Sequence, residues 1–60
     1  MKSTAEKIKN IDDYAESIIT AIRHRVKTED DYINETTTMI FEDGSKLLFD
    51  NNTFKKHLIH

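Results

Sequence analysis

Seven apolar side chains, Ile8, Ile11, Ala15, Ile18, Ile19, Ile22 and Val26, recur at short, helix-like intervals through the first half of the chain. At roughly 100° per residue they fall within about a third of a helix circumference. Lys9, Asp13, Ser17, Thr20, His24 and Lys27 fall opposite. An amphipathic helix follows, and whatever else the chain forms must cover its apolar face. Ser3-Thr4-Ala5-Glu6 supplies the start, with the Ser3 hydroxyl placed to accept from the Glu6 amide as in a capping box. Arg23, His24, Arg25 and Lys27 suit the negative C-terminal end of such a helix. The spacing predicts one helix over about residues 3–27, roughly 36 Å long at 1.5 Å per residue.

Thr28 to Glu35 is polar apart from Tyr32 and Ile33 and reads as a connecting loop or a single helical turn capped by Thr28. From Thr36 the apolar period changes to two. Segments 36–42 and 45–50 flank Asp43-Gly44, a hairpin signal. A two-residue loop would put Thr38, Ile40, Leu47 and Phe49 on one face and Met39, Phe41, Leu48 and Lys46 on the other. A three-residue loop, Glu42-Asp43-Gly44 with Gly44 left-handed, aligns Met39, Phe41, Leu47 and Phe49 instead. The second register separates apolar from polar more cleanly, and a register is held by the face it buries. Asp50-Asn51-Asn52-Thr53 breaks the strand. Residues 53–59 then read as a short helix carrying Phe54 and Leu58 on one face, or as a third strand, with the helix preferred. The expected architecture is α+β: one long N-terminal amphipathic helix packed on a β-hairpin, with a short C-terminal helix or third strand, all in a single small domain over 1–60.

Sixty residues bury a limited core, and there is no cysteine to staple it. Good local structure and self-association remain as supports. The hairpin is shorter than the stripe it must cover, so a homodimer is expected. Nine Lys and Arg against eleven Asp and Glu give a net charge of −2, which excludes a generally basic nucleic-acid binder while permitting a local basic patch. No apolar run approaches the length of a membrane span, and Met1-Lys2 leads into a capped helix rather than a signal peptide; a cytoplasmic protein is expected.

Catalytic and metal chemistry find little to stand on. Ser3, Ser17 and Ser45 are accounted for as a cap, a polar helix face and a hairpin turn. The adjacent carboxylates Asp12-Asp13 and Asp30-Asp31 point in different directions on a helix. One glycine excludes a phosphate-cradling loop. His57 and His60 have the spacing to share a helix face, but a metal site needs three or four ligands. The chain is expected to be no enzyme, with no cofactor and no metal.

Two binding surfaces remain. In the preferred register Ile40 and Leu48 lie on the outer face of the hairpin beside Lys46, and Tyr32, Asp30 and Asp31 stand near the edge of the core. Amphipathic aromatics and exposed aliphatics inside a charged rim are what interface patches contain. A protein-binding module using Tyr32, Ile40, Lys46, Leu48, Asp30 and Asp31 is the primary expectation. The alternative is a small dimeric DNA-binding regulator that contacts phosphates through Arg23, Arg25, Lys27, Lys55 and Lys56. In genre, the size, cysteine-free composition and residue usage of the whole chain resemble the small proteins of phages and mobile elements. That resemblance implies action by stoichiometric occlusion of a host or defence protein, and it carries no motif and hence no site residues.

Overall fold

The computed structural model describes residues 2–59. Two short helices, α1 (Thr4–Lys9) and α2 (Tyr14–His24), precede four strands, β1 (Arg25–Asp31), β2 (Thr36–Phe41), β3 (Lys46–Asp50) and β4 (Lys55–Ile59). The strands form one antiparallel meander in the order β1-β2-β3-β4. Helix α2 packs over β2, and α1 packs over β3 and β4. Ala5 and Ile8 of α1 and Ala21 of α2 join Met39, Phe41, Leu47 and Phe49 of the sheet in one buried cluster.

This overturns the long helix on a hairpin. The helix stops at Asn10 and restarts at Asp13, whose carboxylate offers the backbone a local side-chain alternative to continuing. Asn10 takes the C-cap, its amide donating to the Glu6 carbonyl, and the Asp13 carboxylate takes the N-cap, accepting from the Glu16 amide at 3.0 Å. The break lets two short pieces lie on different strands where one straight rod would overhang a sheet of five- to seven-residue strands.

The second half of the expected helix is also turned. Ser17, expected on the polar face, is fully buried with Ala21, while Ile19, Ile22 and Val26 of the stripe remain 47, 45 and 62% exposed. Small side chains let α2 approach the sheet closely, and the Ser17 hydroxyl is satisfied by the Tyr14 carbonyl at 2.7 Å.

Residues 25–31, expected as helix end and loop, are strand β1, and the short helix preferred for 53–59 is strand β4. Each pairs with a strand of the hairpin, whose outer backbone edges would otherwise stay unpaired. The two connecting turns, 32–35 and 51–54, are built alike. Asp31 accepts from the Ile33 and Asn34 amides, and Asp50 accepts from the Asn52 and Thr53 amides. Each turn ends on a residue with positive φ, Glu35 at 55° and Phe54 at 58°. Tyr14 fastens the second turn: its ring meets Phe49 and Phe54 edge to face at 6.0 and 5.5 Å, and its hydroxyl donates to the Asp50 carbonyl.

The central hairpin takes the three-residue loop. Met39 faces Leu47, Gly44 has φ +83°, and Met39, Phe41, Leu47 and Phe49 are buried together. Its turn also starts α1. Thr4 donates to the Asp43 carboxylate at 2.8 Å, Ala5 to the Ser45 hydroxyl at 3.0 Å and Glu6 to the Ser3 hydroxyl at 3.1 Å, so the free first-turn amides are satisfied.

Two outcomes follow from this turn. A Cβ at residue 44 would meet open space, so Gly44→Ala costs only the left-handed backbone, about 1 kcal/mol. Thermal unfolding should show a midpoint lower by roughly 4–8 °C for a domain of this size. Bonds from the Ser45 hydroxyl, then the Thr4 and Ser45 amides, hold the Asp43 carboxyl well below the usual carboxylate range. A depressed carboxylate contributes stability that is complete above its unfolded value near pH 4 and is lost as pH falls toward its folded value. Melting followed from about pH 7 to about pH 2 should therefore show a falling midpoint below about pH 4. Asp43→Asn should lower the midpoint at neutral pH and flatten that acid slope.

Candidate functional site

The meander has one face covered by helices and one face open. Cross-strand register builds the open face as three rows: Lys27, Ile40, Lys46 and Ile59; then Glu29, Thr38, Leu48 and His57; then Asp31, Thr36, Asp50 and Lys55. Ile40 and Leu48, both half-buried, are the apolar side chains of its two inner strands, and Ile59, 38% exposed, adds a third at the β4 edge beyond Lys46. Lys27 and Lys46 flank Ile40 on either side. Lys27 also meets Glu29 at 3.7 Å, an exposed pair of small energetic weight. The face grades from basic at the Lys27–Lys46 row to mixed charge at the row of Asp31, Asp50 and Lys55.

The six residues proposed for partner contact divide into two groups. Ile40, Lys46 and Leu48 lie together at the centre of the open face. Tyr32 sits in the β1–β2 turn, 88% exposed, next to Ile33 at 93%. Asp31 belongs to the open face, whereas Asp30 lies on the helix side, accepting from the Thr37 hydroxyl at 3.0 Å. That hydroxyl in turn accepts from the Asn51 side chain, and the Asn51 amide donates to the Glu35 carbonyl. The two like-built turns are tied together at this end of the sheet. Ile59, Lys27 and His57 also belong to the open face; sequence reasoning did not place them there, because β1 was not foreseen and β4 stood only as the less favoured alternative to a helix.

The basic residues do not converge. Arg23 ends α2, Arg25 and Lys27 lie on β1, and Lys55 and Lys56 lie on β4. These strands are opposite edges of the sheet, three strand spacings or about 14 Å apart. Lys55 and Lys56 also point to opposite faces, and Lys56 is spent on the fold: its stem crosses beside Phe49 and its ammonium donates to the Ile11 carbonyl. Burial there pushes the Lys56 pKa down.

The carboxylates are arranged for structure. Asp31 is held below its ordinary pKa by the Asn34 side chain and the Asn34 and Ile33 amides, and Asp50 by the Thr53 and Asn52 amides. A general acid or base at neutral pH needs the opposite shift. Among the described residues no cluster of three or more His, Asp or Glu could hold a metal ion. His57 stands alone on the open face, and His60, its expected neighbour, lies outside the described residues. Among the described residues no helix is long and apolar enough to cross a membrane.

The Tyr32 and Ile33 side chains are almost fully exposed and bury little surface against the fold. Tyr32→Ser and Ile33→Ser should each leave the unfolding midpoint within the range of about 0.5 kcal/mol typical of surface changes. A larger loss in chemical denaturation would assign the turn to the core rather than to a surface. Comparison with protein-family models, with curated proteins and with solved structures finds no match.

Proposed function

We propose that this chain is a cytoplasmic, non-catalytic protein-binding module that docks a partner on the open face of its sheet and acts by occluding it. The observation that carries this reading is the composition of that face: Ile40 and Leu48 sit on its two inner strands beside Lys46, with Ile59 at the β4 edge, uncovered by any other element among the described residues and bordered by Lys27, Lys55, Glu29 and Asp31. Desolvated aliphatics within a charged rim are the anatomy of a specific interface. A scaffold this small supports such a role because the face lies on paired strands rather than on loops. Lack of cysteine fits a reducing compartment. The genre resemblance to small phage and mobile-element proteins supports a host or defence protein as the target.

The alternative of a dimeric DNA-binding regulator would draw on Arg23, Arg25, Lys27, Lys55 and Lys56. Their division between opposite sheet edges favours the protein partner. Retention on duplex DNA that falls steeply with added salt would favour the regulator instead.

Ile40→Glu combined with Leu48→Thr tests the open face without attacking the fold, since residue 40 lies between two lysines and threonine suits a strand. The wild-type chain should capture a host protein in stoichiometric amount. The double variant, with an unchanged circular dichroism spectrum, should retain it at least about tenfold less well. Equal capture by both proteins would remove the open face as the contact surface.

A further inference from the structure

We propose that β1 is a self-association edge, through which two copies of this chain pair antiparallel about Thr28 and join their sheets into one. The inference goes beyond the open face described above and stands independently of it.

An unpaired edge strand invites another chain unless it is short, covered, or blunted by charge that the incoming strand does not match. Here β1 is the longest strand of the sheet at seven residues, it lies at an edge, and all of it except Thr28 is exposed. The opposite edge, β4, is five residues long and has α1 packed against it.

The charge order along β1 selects the occupant. Arg25-Val26-Lys27-Thr28-Glu29-Asp30-Asp31 is basic in its first half and acidic in its second. Laid antiparallel on a second copy about Thr28, Lys27 faces the second copy's Glu29, and the two-fold repeats the pair. Moving the centre to Lys27 sets lysine against lysine, and moving it to Glu29 sets glutamate against glutamate. Opposite charges directly across an antiparallel pair stabilise it and like charges oppose it. Only the register about Thr28 is free of a like-charge pair among these three. The other edge offers no such match: Lys55, Lys56 and His57 of β4 have no acid on their own strand.

The helix layer gives a second, separate argument. Thr20 and His24 line a cleft against Thr4, Lys7 and Ile8 of α1 and against Ile11, so that flank of α2 faces the first helix. Ile19 and Ile22 lie elsewhere on α2 and stay exposed, and Val26 follows, also exposed, at the irregularity where β1 begins. A pairing centred on a residue puts the helix layers of both copies on the same side of the joint sheet. The exposed Ile19 and Ile22 of both copies then lie on that one side. A pairing centred between residues would place them on opposite sides. Both open faces then lie on one side of the joint sheet, and each edge that remains free is a β4. A symmetric pairing of this kind closes at two copies.

Charge exchange at residues 27 and 29 tests the register. In equilibrium sedimentation the wild-type mass should rise with concentration from 7.0 kDa and level at twice that value. Lys27→Glu alone and Glu29→Lys alone each create two like-charge pairs and should raise the dissociation constant at least about tenfold. Mixing these two variants restores both attractions in a heterodimer, and the combined K27E/E29K chain restores them in a homodimer. Recovery of association on mixing also establishes that the single variants are folded. A wild-type mass of 7.0 kDa at all concentrations overturns the proposal. So does a mass that climbs past two copies without levelling, or single variants that weaken association without recovery on mixing. Capture through the open face by a strictly monomeric chain would leave the functional reading intact while removing this one.

Discussion

The turn at Glu42-Asp43-Gly44 decides which side chains of β2 and β3 point at the helices, and most of the molecule depends on that choice. With Gly44 in the left-handed region, Met39, Phe41, Leu47 and Phe49 share one face and make up most of the fully buried apolar volume. A side-chain period of two means that a two-residue loop would set Thr38 and Ile40, in place of Met39 and Phe41, beside Leu47 and Phe49. The same turn carries Asp43 and Ser45, whose oxygens take the first amides of α1. Hairpin register and helix placement are therefore coupled: the loop that sorts the sheet's two faces also fixes where the covering layer begins.

What the helices do with that face follows from side-chain size. Helix α1 supplies Ala5 and Ile8, and α2 presents Ser17 and Ala21 at its closest approach. Small contacts permit close packing of helix on sheet at the expense of apolar area. In a chain of this length, where the buried fraction is intrinsically low, the consequence is visible at once: Ile19, Ile22 and Val26 stay partly in water. The strongest amphipathic signal in the sequence is thus only half used by the monomer.

The hairpin and its register were legible because strand period, turn residues and burial all point to the same pairing, and Gly44 meets a specific backbone need. The sites that depend on it, Ile40, Lys46 and Leu48, were legible for the same reason. The break at Asn10–Asp13 was hidden because the apolar stripe runs through it unaltered; only the local chemistry of Asn10, Asp12 and Asp13 opposed the period. Strand β1 was hidden because its inward positions are Thr28 and Asp30, too polar to register as a buried face. Strands β1 and β4 form because the hairpin's edges need partners, a tertiary demand that no local window contains. One signal was available and was passed over. Asp31 and Asp50 each open a four-residue turn with the same carboxylate-to-amide bonds. The match predicts two like connections, and hence a strand before the first and after the second.

That added pair of strands reassigns the chain's charges. Read as helix end and loop, Arg25 and Lys27 belong with Arg23 in a basic cluster, and Glu29, Asp30 and Asp31 form a separate acidic one. Read as one extended strand, the two clusters become the two halves of a single edge, spaced at about 3.3 Å per residue and alternating between faces. Charge that looked like helix-end preference becomes a linear pattern with a direction. A pattern with opposite signs at its two ends is complementary to itself when reversed, and reversal is what antiparallel pairing across a two-fold axis performs. The monomer satisfies this edge on one side only, through β2.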